Sequence, residues 1–186
     1  MKTKLAVFDL DGTLFDTKEV NFRAYRAAFL ACGCAVDEER FRAEFFGRHF
    51  SDFLPLFVKD PTPALIRAIH ETKQARYADY LGEARENAAL FDYIAAVRPP
   101  CATAVVTTAS RRNALDVLRY FKREASFDLL VCQEDVRHVK PDPEGFLLAM
   151  ARFGAAPDET VIFEDSDGGV RCARATNAHV LRVEQF

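Results

Sequence analysis

Leu5-Ala6-Val7-Phe8 is a short apolar run that stops at Asp9, with Gly12 close behind. An unbroken apolar run that ends at a turn signal predicts a buried strand. Four more runs of this kind follow: Cys101 to Val106, announced by Pro99-Pro100; Phe127 to Cys132; Thr160 to Phe163; and His179 to Val183. Helical segments are predicted between them. Ser110 is placed to cap a helix starting near Arg111, because its hydroxyl can accept from a free N–H of the first turn. Asp142-Pro143-Glu144 opens a helix that Gly154 closes, with proline early and glycine late. Strands alternating with helices predict an α/β fold, with a three-layer Rossmann-like core around a parallel sheet of about five strands. Ligands of such sheets sit beyond the carboxyl ends of the strands.

Residues 17 to 82 break this rhythm. They are rich in Ala, Arg, Glu and Phe, and Phe22, Tyr25 and Phe29 lie three and four apart, on one helical face. Pro55, Pro61 and Pro63 are expected to divide the stretch into several helices. Eight of the 17 phenylalanines fall here, enough for a separate aromatic core. The expected organisation is therefore a catalytic core made of residues 1–15 and 84–186, with a helical insertion over 16–83.

The chain has 186 residues, 49% hydrophobic and 28% charged, with a net charge of −3. This suits one soluble domain with an insertion. No long basic run points to nucleic acid or to an anionic membrane. No apolar stretch approaches the ~20 residues that span a bilayer. The apolar run after Met1 is too short for a secretory signal, and the chain reads as cytoplasmic. Its five cysteines, Cys32, Cys34, Cys101, Cys132 and Cys172, are odd in number and irregular in spacing. Free thiols are expected.

The candidate chemistry lies at the strand ends. The first strand runs into Asp9-Leu10-Asp11-Gly12-Thr13, and residues two apart along a strand point the same way. Two crowded carboxylates repel unless a proton or cation intervenes, and a hard divalent cation such as Mg²⁺ suits them. The fourth strand runs into Glu164-Asp165-Ser166-Asp167, a second acidic cluster. Asp9, Asp11, Asp165 and Glu164 are thus the candidate metal residues, although Asp-Gly turns and helix caps use the same residue types. The second strand ends in Thr107-Thr108-Ala109-Ser110, where hydroxyls and free amides at a helix start suit phosphate oxygens. Lys140, ahead of Pro141, is a candidate partner for the acidic groups.

In order and type these pieces resemble the motifs of the haloacid dehalogenase-like superfamily. Asp9-Leu10-Asp11-Gly12-Thr13-Leu14 is similar to its first motif, Val105-Val106-Thr107-Thr108 to its second, Lys140-Pro141-Asp142-Pro143 to its third and Phe163-Glu164-Asp165-Ser166 to its fourth. The stretch from Gly168-Gly169 to Asn177 resembles the family's small-residue helix, with Asn177 where Gly is usual. The resemblance implies a Mg²⁺-dependent phosphatase acting on a small phosphorylated metabolite. It casts Asp9 as nucleophile and Asp11 as general acid and base. Thr108, the amide of Ala109 and Lys140 would hold the phosphoryl group, with Thr107 competing with Thr108 for the hydroxyl role. Asp9, the Asp11 carbonyl and Asp165 would ligate Mg²⁺, with Glu164 beside them. The insertion corresponds to a helical cap of the branch that includes β-phosphoglucomutase, and Arg48, His49 and Lys73 are candidate substrate contacts on it.

Two other functions remain open on these residues. One is a phosphosugar mutase of the β-phosphoglucomutase type, disfavoured because Asn21 stands where those enzymes carry a histidine. The other is a non-catalytic relative that binds a phosphometabolite, disfavoured because Asp9 and Asp11 are both intact. Dehalogenation is discounted, since that branch lacks the second aspartate of the first motif.

Overall fold

The structure is a computed structural model and describes residues 3–46 and 49–184. The chain forms two compact units, one of Met1–Asp16 with Arg85–Phe186 and the other of Thr17–Ala84.

The first unit is built on five parallel strands: β1 (Leu5–Phe8), β4 (Ala102–Val106), β5 (Leu129–Val131), β6 (Thr160–Glu164) and β7 (His179–Arg182). Their order across the sheet is β5-β4-β1-β6-β7. β1 is central, pairing Phe8 with Val105 on one side and with Phe163 on the other. All of its residues are fully buried, as expected of a strand covered on both faces. Side chains alternate across the sheet. Leu5 and Val7 join Ala104, Val106 and Ile162 against Phe146, Ala149 and Met150 of α7 (Glu144–Phe153) and Cys172 and Ala173 of α8 (Asp167–Arg174). Phe8 turns the other way, stacking on Phe163 at 4.7 Å and meeting Tyr93 of α5 (Ala88–Val97) edge-on at 6.4 Å. The remaining helix of this unit, α6 (Arg111–Tyr120), begins at Ser110, whose hydroxyl accepts from the Asn113 N–H. A two-residue ribbon pairs β2 (Phe15–Asp16) with β3 (Arg85–Glu86) antiparallel. The Arg85 guanidinium lies 2.7 Å from the Asp16 carboxylate.

The parallel α/β core matches the expected fold, with trimmed strands. Cys101 stays outside β4. β5 is three residues long, because a 3₁₀ turn at Glu124–Ser126 precedes it and the Cys132 N–H leaves the sheet to donate to Asp135. Gly154 ends α7 at φ 57°, and Asn177 adopts φ 61°, a left-handed conformation that asparagine tolerates.

The second unit is helical: α1 (Lys18–Ala31), α2 (Glu38–Glu44), α3 (Phe50–Phe57) and α4 (Pro63–Arg76), with a 3₁₀ turn at Tyr77–Glu83. Phe22, Tyr25 and Phe29 of α1 do share a buried face, packed with Phe41, Phe45, Phe53, Phe57 and Ile69. Pro55 does not break a helix as expected. It lies within α3, whose neighbouring Phe53, Leu54 and Phe57 are all buried and hold the short helix in place. Pro63 occupies the first turn of α4, where its missing N–H costs nothing. All five cysteines are free thiols, and no helix among the described residues is long and apolar enough to cross a membrane.

Candidate active site

Four loops, those that follow β1, β4, β5 and β6, carry the candidate residues. β1 delivers Asp9, whose N–H donates to the Phe163 carbonyl of β6 at 2.9 Å. The extended strand stops at Phe8 and the chain turns through Leu10 to Thr13. The alternation argument for Asp9 and Asp11 therefore does not reach Asp11, which is half-buried in the turn and bridges to Phe15. The carboxylates that converge are instead those of Asp9, Glu164 and Asp165, with ligand atoms within 4.8 Å of one another.

Lys140 joins them. Its ammonium lies 2.5 Å from Asp9 Oδ1 and 2.6 Å from Glu164 Oε2. The other Glu164 oxygen accepts from the Asp165 N–H at 3.1 Å and from the Ser166 N–H and hydroxyl, each at 3.0 Å. Glu164 is 1% exposed. Asp165 accepts from the Thr13 hydroxyl at 2.9 Å. Two glycines make room for these carboxylates. A Cβ at Gly169 would overlap the Glu164 carboxylate, and one at Gly12, which adopts φ 93°, would overlap that of Asp165. Thr13 and Gly169 are site residues to which the sequence reading gave no role, although both stand inside the motifs it quoted.

The electrostatics follow from crowding. Burial, and then the nearby Glu164, push Asp9 well above the ordinary carboxylate range against the pull of Lys140. Burial and Glu164 also lift Asp165 to about 6, with the Thr13 hydrogen bond acting the other way. Burial alone would lower Lys140, but Asp9 and Glu164 outweigh it and hold the ammonium form above its usual range. Ionised together, the three carboxylates would exceed the one ammonium by two negative charges in a largely buried place. Hard oxygen donors with that deficit fit a divalent cation such as Mg²⁺.

The loop after β4 stands beside β1 in the sheet order. The Thr107 hydroxyl is turned back to accept the Ala109 N–H at 3.0 Å and is buried. Thr108 is half-buried. Of the candidates on the helical unit, Arg48 lies outside the described residues. His49 sits at the start of α3 with its ring Nδ1 2.8 Å from the Ser51 hydroxyl. Lys73 is no plain surface residue, since it is 7% exposed with its ammonium 4.6 Å from the centre of the Tyr77 ring.

The family model of the haloacid dehalogenase-like hydrolases matches residues 6–183. The chain belongs to that family. It is 32% identical over 174 residues to a phosphorylated carbohydrates phosphatase of Thermotoga maritima, covering 91% of this chain and 79% of the relative. It is 28% identical to the fructose-1-phosphate phosphatase of Escherichia coli, over 95% and 94% of the two chains. Among solved structures, CbbY from Rhodobacter sphaeroides in complex with phosphate superposes with a TM-score of 0.87 at 29% identity, covering 99% of this chain and 87% of that one. Family and relatives together support the expected class, a hydrolase of phosphatase type.

Proposed function

We propose that this hydrolase removes phosphate from a small phosphorylated carbohydrate, with Asp9 as nucleophile and Mg²⁺ as cofactor. The observation that carries the reading is the largely buried Lys140 ammonium shared by Asp9 and Glu164, beside Asp165, at the carboxyl ends of β1 and β6. Asp9, Asp165, Glu164 and the Asp11 carbonyl would hold the metal. When bound, it neutralises charge that develops on the phosphoryl oxygens.

Asp9 attacks phosphorus through a carboxylate oxygen as the bond to the sugar oxygen breaks, leaving an aspartyl-phosphate. Asp11 gives its proton to the leaving alkoxide. It then takes one from the water that attacks phosphorus, releasing orthophosphate and regenerating Asp9. Lys140 holds Asp9 in place and offsets the phosphoryl charge. Thr108 and the Ala109 amide would receive the phosphoryl oxygens, with the Ala109 N–H exchanging its bond to Thr107. The helical unit would act as a cap that excludes water, and Arg48, His49 and Lys73 would meet the sugar end. The carbohydrate class comes from the two named phosphatases and from CbbY, of which a second structure, an Asp-to-Asn mutant, holds xylulose-1,5-bisphosphate. Asn21 favours hydrolysis over mutase chemistry. Its amide donates to the Thr17 carbonyl at 3.1 Å and hydroxyl at 3.2 Å, and an amide cannot titrate.

The test is phosphate release from a panel of sugar phosphates, with Mg²⁺ and with chelator, for the wild type beside Asp9→Asn. Magnesium-dependent release lost in Asp9→Asn supports the reading. Undiminished release by Asp9→Asn overturns it.

A further inference from the structure

Sheet pairing between β4 and β5 ends where the Thr107 N–H donates to the Val131 carbonyl at 3.0 Å. Beyond that point the Thr107–Ser110 loop is fastened to the chain after β5, and most of the fastening passes through Arg111. The Arg111 N–H donates to both oxygens of Glu134, at 3.1 and 3.0 Å. Its guanidinium donates to the Leu130 carbonyl at 3.2 Å and to Asp135 Oδ2. That same Asp135 oxygen accepts the Cys132 N–H at 2.7 Å. One further bond, from the Gln133 N–H to the Ala109 carbonyl at 3.2 Å, completes the tie.

Resting on the phosphatase reading above, we propose that Arg111 is a positioning residue that sets the height and tilt of the Thr107–Ser110 loop for the phosphoryl group. It touches no reacting atom and acts through Thr108 and Ala109, three and two residues before it. The ion pair is partly open to water, with side-chain exposures of 43% and 31% for Arg111 and Asp135. Pairs of that kind add little to global stability, so the clamp matters chiefly through geometry. A misplacement of about 1 Å in a reacting assembly costs on the order of 10²-fold in rate. Arginine suits the task because one nitrogen, Nη2, serves the Leu130 carbonyl and the Asp135 carboxylate with hydrogens fixed in the guanidinium plane, a direction that a lysine ammonium on a flexible stem does not fix. The guanidinium also lines an open groove of about 440 Å³ with Leu130, Asp135, Leu148 and Arg152. A small cation can therefore reach the place it would vacate.

The experiment compares wild type, Arg111→Ala and Arg111→Lys on the sugar phosphate that the wild type hydrolyses fastest, with orthophosphate affinity read separately by calorimetry. For Arg111→Ala, kcat/KM is expected to fall about 10- to 100-fold and orthophosphate to bind more weakly. The Mg²⁺ half-saturation should hold, because the acidic cluster lies at the carboxyl ends of β1 and β6. The melting temperature should move by less than about 4 °C. Arg111→Lys should recover little, and millimolar guanidinium should restore part of the Arg111→Ala activity. Wild-type kcat/KM and phosphate affinity in Arg111→Ala would overturn the proposal, as would a loss that only follows a fall in melting temperature without guanidinium rescue. An inactive wild type would overturn the phosphatase reading instead. Weaker orthophosphate binding by Arg111→Ala would then still support the clamp, and equal binding would overturn it.

Discussion

The ammonium of Lys140 lies 2.6 Å from one carboxylate oxygen of Glu164, whose other oxygen accepts three hydrogen bonds from its own turn. Glu164 is therefore a fixed post, and Lys140 reaches from it to Asp9, 2.5 Å away. This tie holds the nucleophile candidate that follows β1 to the acidic turn after β6.

Replacing Lys140 by Met should show what the ammonium does. Removing one partner of a buried ion pair leaves uncompensated charge and costs roughly 3–5 kcal/mol. Part of that is relieved here by protonation of Asp9, already pushed upward by burial and Glu164. Activity should fall on the order of 10²- to 10³-fold, as when a preorganised charge is removed. Thermal melts with chelator and with Mg²⁺ check the stability side. The Lys140→Met deficit should shrink with Mg²⁺, and a deficit that ignores the metal would count against this view of the site.

Gly169→Ala tests the post itself. The added Cβ would overlap a carboxylate that four donors pin in place, so Glu164 must shift and release Lys140. The substitution adds a single methyl group in α8, where alanine is the better helix former by about 1 kcal/mol. The expected result is a folded protein with at least about tenfold lower kcat/KM, read by kinetics beside circular dichroism. Full activity would mean that the orientation of Glu164 is unimportant.

The five strand-forming runs and the two acidic turns were legible because apolar runs ending in charge have one good placement in a parallel sheet. Other features depend on partners distant in sequence. The convergence of Asp9 with Glu164 and Asp165 needs the β1–β6 pairing, and Thr13 reaches Asp165 across 152 positions. Nothing in the spacing of Asp9 and Asp11 reveals that β1 stops before them. The β2–β3 ribbon has two residues on each side, too few for a periodic signal. Pro55 misled because a proline inside a two-turn helix is decided by the packing of Phe53, Leu54 and Phe57 around it. Arg111 carried no signal at all, since a basic residue in a first helical turn is ordinarily a solvated one.

Phe41 should anchor the helical unit. It is 1% exposed and its ring lies within 6.3 Å of those of Phe22, Tyr25, Phe29, Phe45, Phe53 and Phe57. Phe41→Ala removes a large buried side chain from a close-packed cluster and should cost about 3–5 kcal/mol in urea unfolding. Phe41→Leu should cost clearly less. Equal losses for the two would argue that volume is not what matters there.

His70 gives the pH dependence of the same unit. Its ring stacks on Phe50 at 3.6 Å, with Tyr25 Oη 3.4 Å from one nitrogen and the Gln74 amide 3.0 Å from the other. Burial, then Lys73 and His49, lower its pKa to about 3. The folded-state value lies below the unfolded one of about 6.5, so protons bind the unfolded chain more tightly. The stabilisation is fully present above about pH 6.5 and is lost as pH falls toward 3. Between pH 7 and pH 5 the loss should approach about 2 kcal/mol. His70→Gln retains hydrogen-bonding capacity without a titrating group, so its stability should fall less over that interval by about this amount. Denaturant midpoints at pH 7 and pH 5 for both proteins decide the matter, and parallel pH slopes would show that His70 is protonated in the folded chain or hydrated there.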